Sequence, residues 1–70
     1  MFTYTITQDN GPHRVVGTGF TNRAHALRSV SHALRDGRMM PTTDALAVME
    51  RLAESDTAGA RDWWVEVVAE

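Results

Sequence analysis

Four residues between positions 25 and 35 carry side chains that can bind anions, and their spacing suits one edge of a helix. They are His25, Arg28, His32 and Arg35. At about 100° per residue, positions i, i+3, i+7 and i+10 fall on one arc of a helix. Such a row can bind nucleic-acid phosphates or the carboxylates of an acidic partner protein. The alternative is an ordinary solvated face, whose arginines pair with acidic residues elsewhere in the fold.

Two adjacent tryptophans, Trp63 and Trp64, are the second candidate for binding. They begin the segment WWVEVVA, which would be largely apolar on both faces of a strand. Such a strand either lies in the interior of a sheet or meets a partner with its second face. Adjacent strand residues point to opposite faces, so we expect one of the two tryptophans to be exposed as an interface anchor. The alternative is that this side chain packs on the helix ends, or over Gly17 or Gly19.

The sequence offers little for catalysis or metal binding. It contains no Cys, which excludes disulfides and thiolate ligands. His25 and His32 would lie two helical turns apart, with about 10 Å between their Cα atoms, which is too far to share one ion easily. The GTGF segment before the helix lacks the spacing of a phosphate-binding loop. We therefore expect a protein that is not an enzyme and needs no cofactor.

Charge is distributed unevenly along the 70-residue chain, whose net charge is −2. Residues 1–40 contain five Arg against two acidic residues, and residues 41–70 contain two Arg against seven. Such a split suits contacts within the chain, across a dimer, or with two different partners. The acidic total argues against tight, non-specific DNA binding, which usually accompanies a basic domain.

A chain of this length forms one domain at most, predicted here over residues 1–70, and its core is marginal. Association would add stability, and the sequence leaves a homodimer and a monomer equally open. No apolar run approaches the roughly 20 residues that cross a bilayer, and the first residues lack the pattern of a signal peptide. We therefore expect no membrane contact and a cytoplasmic location.

The elements that would position these residues begin with a β-hairpin. Residues 2–7 alternate apolar side chains with threonine, which is typical of a half-buried strand. Residues 9–12 read Asp-Asn-Gly-Pro, a strong turn signal, and residues 13–20 form the returning strand. In that strand we expect Val16 and Phe20 on the core face. Gly17 and Gly19 would lie opposite, as a bulge or beneath a closely packed group.

Two helices should follow the hairpin. The first lies within the stretch 21–38. Gly37 is predicted to be its C-terminal cap, in a left-handed backbone conformation. The second starts after Pro41, and its Glu50 and Glu54 are the acidic residues best placed to pair with Arg from the first helix. Residues 55–62 are predicted as a polar loop, and residues 63–69 as the last strand.

These patterns predict an α+β fold of order β-β-α-α-β, with a three-stranded, mainly antiparallel sheet and two helices on one face. Besides one Trp, the predicted core residues are Phe2, Tyr4, Ile6, Val16, Phe20, Leu27, Val30, Leu34, Leu46, Met49, Leu52, Val65 and Val67.

The function that these features favour is a non-catalytic protein-binding module, such as a regulator or inhibitor of a larger protein or complex. Short acidic α+β chains are often of this kind, including accessory proteins of phages and mobile elements, although this is an association at the level of fold. The alternative is a nucleic-acid-binding regulator that uses the row of His and Arg on the first helix.

Overall fold

Two helices pack against one face of a four-stranded antiparallel sheet in the structure, a computed structural model that describes all residues 1–70. The elements are β1 (Phe2–Gln8), β2 (Arg14–Phe20), α1 (Arg23–Asp36), α2 (Thr42–Leu52), β3 (Thr57–Ala60) and β4 (Trp63–Ala69). The strand order is β2-β1-β4-β3, and every neighbouring pair is antiparallel. The α+β class and the two helices are confirmed, whereas the sheet has four strands rather than three.

The fourth strand, β3, lies within residues predicted to form a polar loop. It is four residues long and consists of Thr, Ala, Gly and Ala, which apart from Thr have low strand propensity. Arg61 and Asp62 connect it to β4, and Arg61 has a positive φ of 55° where Gly, Asn or Asp is usual in a tight hairpin. Pairing with the longer β4 therefore produces a strand that neither propensity nor turn residues indicate.

One hydrophobic core fills the space between the sheet and the helices. On α1, Val30 and Leu34 are fully buried, as predicted. On α2 the buried face is rotated from the predicted one, because Val48 is 1% exposed and Leu46 is 49% exposed. The core members are Tyr4, Ile6, Val30, Leu34, Met40, Ala45, Val48, Leu52, Ala58, Val65 and Val67.

A β-bulge interrupts the pairing of β1 with β2. Phe2 pairs with Phe20 and Tyr4 pairs with Gly17, so β2 has one extra residue between the two pairs. Gly19 lies in this interval and has a φ of 80°, a conformation that a residue with a side chain rarely adopts. The bulge predicted as one role for the glycines is therefore confirmed at Gly19.

The bulge also corrects the faces predicted for β2. Val15 packs against the core, while Val16 is 50% exposed on the other side of the sheet, so the core assignment of Val16 is wrong. Phe20 follows the bulge and packs against the core as predicted. Gly17 lies under the ring of Tyr4, which a Cβ atom would overlap. Gly17 is thus on the core side, opposite to its predicted face.

The C-terminal end of α1 has the hydrogen bonds of a Schellman motif. The N–H of Met39 donates to the carbonyl of Leu34 at 3.2 Å, and the N–H of Arg38 donates to the carbonyl of Arg35 at 3.3 Å. The left-handed residue is Arg38, with a φ of 54°, whereas Gly37 keeps a helical φ of −75°. The prediction for Gly37 is therefore displaced by one residue.

Arg23, in the first turn of α1, connects the two helices. Its guanidinium donates to the carbonyls of Leu52 and Ser55, both at 2.7 Å, and to the Asp56 carboxylate at 3.1 Å. Leu52 is the last residue of α2, so its carbonyl has no partner within the helix. Arg23 therefore holds the start of α1 against the end of α2.

Candidate functional site

Four exposed residues form a basic edge along α1: His25, Arg28, His32 and Arg35. Two contacts fix the helix that carries it. The side-chain oxygen of Asn22 accepts a hydrogen bond from the N–H of His25 at 2.9 Å, which caps the helix. The hydroxyls of Tyr4 and Ser29 lie 2.9 Å apart in a hydrogen bond that joins α1 to β1. The structure thus places these four predicted residues on one side of one helix.

Two arginines of the basic edge have no acidic partner. Arg28 and Arg35 make no ion pair, and neither do Glu50 and Glu54, because the three ion pairs of the chain involve other residues. Within the edge, only His32 is paired, through Nδ1 to a carboxylate oxygen of Asp36 at 2.9 Å. The intramolecular pairing that would explain the row as a structural feature is therefore absent.

Two depressions of about 360 and about 330 Å³ lie along the basic edge. His25, Arg28, Ser29 and His32 line the first, and the second extends past Arg35. Their linings contain no hydrophobic residue. Such a surface suits an extended anion, such as a nucleic-acid backbone, better than an apolar small molecule.

The two tryptophans lie on opposite faces of β4, as predicted. Trp63 is partly buried against the core, while Trp64 is 46% exposed on the face that the helices leave uncovered. A Cβ atom on Gly59 would come within 2.6 Å of the Trp64 ring, so the ring lies directly over this glycine. Trp64 cannot use Gly17 or Gly19 in this way, because β1 separates β4 from β2.

The uncovered side of the sheet, called the open face below, mixes apolar and polar side chains. From strand register it comprises Thr3, Thr5, Thr7, Arg14, Val16, Thr57, Gly59, Trp64, Glu66 and Val68. Trp64 and Val68 flank Glu66 along β4, and Thr5 separates Glu66 from Val16 on β2. Val16, Trp64 and Val68 are each between 44% and 50% exposed. Of the two alternatives for the last strand, the structure shows the interior position in the sheet, and neither helix covers its outer side.

A cleft of about 470 Å³, called the end cleft, opens at one end of the molecule. Three connections of the chain contribute to it, and its lining includes Gln8, His13, Arg14, Arg38, Arg61 and Trp63. No local pattern in the sequence indicates this cleft, because its three arginines are far apart in the chain. Of the six predicted site residues, only Trp63 lies here.

The arginines of the end cleft differ in their partners. Arg14 and Arg38 make no ion pair or side-chain hydrogen bond, whereas the Nε–H of Arg61 donates to the Asp44 carboxylate. This hydrogen bond, together with the charge of Asp44, raises the pKa of Arg61 above its ordinary value. Two unpaired cations and one paired cation therefore line the same cleft.

No group of three or more His, Cys, Asp or Glu side chains is arranged to hold a metal ion, and neither helix is long and apolar enough to cross a membrane. The sequence matches no family model, and comparison with curated proteins and with solved structures gives no significant match.

Proposed function

We propose that this protein is a small, non-catalytic, cytoplasmic protein-binding module that regulates or inhibits a larger protein or complex. The single observation that supports this proposal is the half-exposed Trp64 on β4, an interior strand of the sheet, on the face that the helices leave uncovered. Sheets of this class normally cover one face with helices and leave the other to water, with polar residues outward. Here two valines and a tryptophan occupy positions where polar residues would be expected.

Trp64 has the features of an interface anchor. Tryptophan is enriched among the residues that contribute most to binding, because it buries a large apolar area with little loss of conformational entropy. Its ring rests on Gly59, and β4 is held between two neighbouring strands, so the ring is presented by a rigid part of the fold. Its polar neighbours on this face are Thr7 on β1 and Glu66 on β4, with Arg14 beyond Thr7 on β2.

The size of the open face favours a larger partner over a second copy. With strands about 4.8 Å apart and a rise of about 3.3 Å per residue, the face covers roughly 400 Å². Two copies packed face to face would bury about 800 Å² together, which is less than the roughly 1,200 Å² of a stable specific interface. A larger protein can also cover the sheet edges. The threonines also make this face more polar than an obligate dimer interface.

Replacing Trp64 by threonine tests the proposal. Threonine has high strand propensity and matches the neighbouring residues, so the variant should fold. A partner captured with the wild-type chain is purified, and its dissociation constant is measured by calorimetry. Trp64→Thr is expected to weaken binding by about 30-fold or more. Leu46→Ala, which removes a similarly exposed apolar side chain from α2, should change it by less than about threefold.

Equal affinities for wild type and Trp64→Thr would contradict the proposal. So would a protein that forms a stable dimer through this face and binds nothing else. Light scattering of wild type and Trp64→Thr separates this second outcome, because the variant would then become monomeric.

A second candidate function is nucleic-acid binding by the basic edge, and the unpaired Arg28 and Arg35 favour it. If both contact phosphates, replacing both by alanine should weaken binding of a short duplex DNA and lower the slope of log K against log salt by about 2. Fluorescence anisotropy across a range of salt concentrations measures this slope. Arg51→Ala, which removes an exposed arginine of α2, is the control. Absence of duplex binding at low salt would eliminate this candidate.

A further inference from the structure

We propose that the end cleft binds a small phosphorylated ligand. The cleft shares Arg14 with the border of the open face and shares no residue with the basic edge. Its volume of about 470 Å³ lies within the usual range for small-molecule sites, roughly 300–1,000 Å³. Unlike the depressions of the basic edge, the cleft combines cations with an aromatic wall, because Trp63 lines it.

The fold brings one arginine to this cleft from each of three connections. Arg14 begins β2 after the first turn, Arg38 follows the end of α1, and Arg61 lies between β3 and β4. Arginine presents a planar fork of N–H donors that matches phosphate oxygens, often in pairs of parallel hydrogen bonds. Arg14 and Arg38 have all their side-chain donors free for such an anion. His13 adds a further potential donor, and Asp62 is the one acidic residue in the lining.

The backbone conformations at the cleft are a second and independent observation. Arg38 and Arg61 are the only non-glycine residues of the chain with positive φ, and both line this cleft. Glycine would occupy either position without strain, so the arginine side chains are present despite an unfavourable backbone. Residues with strained backbones cluster at binding sites, which supports a role for these arginines in the cleft in addition to the ion pair of Arg61 with Asp44.

The lining contains three arginines and one acidic residue, Asp62, which favours a compact anionic ligand. Arg61 already pairs with Asp44, so Arg14 and Arg38 are the two cations without a partner. A diphosphate group matches two guanidinium groups, and Trp63 in the lining can pack against a ring attached to it. The class that fits is therefore a phosphorylated compound, either a bare diphosphate or one that carries an aromatic ring.

Titrating the isotope-labelled protein with pyrophosphate and, separately, with ADP tests the proposal by NMR. Saturable shifts are expected at residues 13–14, 38 and 61–63, with a dissociation constant below about 1 mM in low salt. Arg14→Gln should weaken binding by about tenfold, because one charge-assisted contact is lost. Arg51→Gln removes an exposed arginine outside the cleft and should change affinity by less than about twofold. Tighter binding of ADP than of pyrophosphate would assign the aromatic class, and equal binding would assign the bare diphosphate.

Arg38→Gly keeps the test independent of folding. This substitution removes the guanidinium and relieves the positive φ, so the variant should resist urea at least as well as wild type while binding about tenfold more weakly. The proposal is overturned if neither probe produces saturable shifts up to about 10 mM. It is equally overturned if the shifts map to α1 and disappear in Arg28→Ala, because the anion would then belong to the basic edge.

Discussion

Replacing Leu34 by alanine is expected to lower the free energy of unfolding by about 2–5 kcal/mol. Leu34 is 0% exposed and lies in the core between α1 and the sheet. The substitution removes buried methyl groups and leaves a cavity that close packing prevents the surroundings from filling. A domain of 70 residues is stable by only about 4–10 kcal/mol in total. The variant should therefore lose a large share of the stability of the domain.

Urea unfolding followed by circular dichroism measures this loss, and Leu46→Ala is the matched control. Leu46 undergoes the same substitution on a helix, but it is 49% exposed. Its replacement should change stability by less than about 1 kcal/mol, since little burial is lost and alanine favours the helix. Equal losses for the two variants would mean that α2 presents the face with Leu46 to the core, as the sequence analysis predicted.

Replacing Arg23 by alanine is the second large effect, an expected loss of about 2–3 kcal/mol. Most of it arises from the carbonyls of Leu52 and Ser55, which lose a charged donor at the end of α2. The contact with Asp56 adds little, because that carboxylate is 80% exposed and water screens the pair. Thermal unfolding by calorimetry should show a lower midpoint for Arg23→Ala.

Arg28→Ala and Arg35→Ala are the controls for this prediction, because they remove arginines from the same helix. Neither side chain has a partner within the chain, so each change should stay within about 0.5 kcal/mol. If Arg28→Ala costs as much stability as Arg23→Ala, the basic edge is part of the structure and not a binding surface. Intact stability together with lost binding would support a functional edge.

The helices and three of the strands were predictable because their signals are local. Alternation in residues 2–7 and in residues 63–69 marks β1 and β4, and the stripe with Val30 and Leu34 marks the buried side of α1. The same alternation correctly separates Trp63 from Trp64. These features depend on residues within one element, so a single sequence contains them.

The errors share a different physical origin, because tertiary contacts decide them. Val16 lies on the face opposite to the predicted one, because one extra residue at the bulge reverses the alternation of β2. Alternation alone cannot locate that residue. The strand β3 forms from residues with weak intrinsic preference because β4 offers it a partner. Arg38, rather than Gly37, takes the left-handed position, although glycine is the usual residue there.

The candidate sites also differ in whether local sequence or tertiary contacts determine them. The basic edge was predictable from helical spacing within α1. The end cleft was not, because Arg14, Arg38 and Arg61 meet only when three connections converge. Arg28 and Arg35 are unpaired because the fold places no acidic side chain within ion-pairing distance of them. The packing of α2 decides this, and local spacing does not indicate it.

The pairing of β1 with β4 has a consequence for how the chain reaches its native state. These neighbours form the middle of the sheet, with Phe2 opposite Ala69, so the first and last strands must meet. Closing so long a loop costs entropy before any contact compensates for it, which slows folding relative to helical proteins of this size. The hairpins β1–β2 and β3–β4 can form locally, and their joining is the expected rate-limiting step. During synthesis, the centre of the sheet can therefore form only after β4 has left the ribosome.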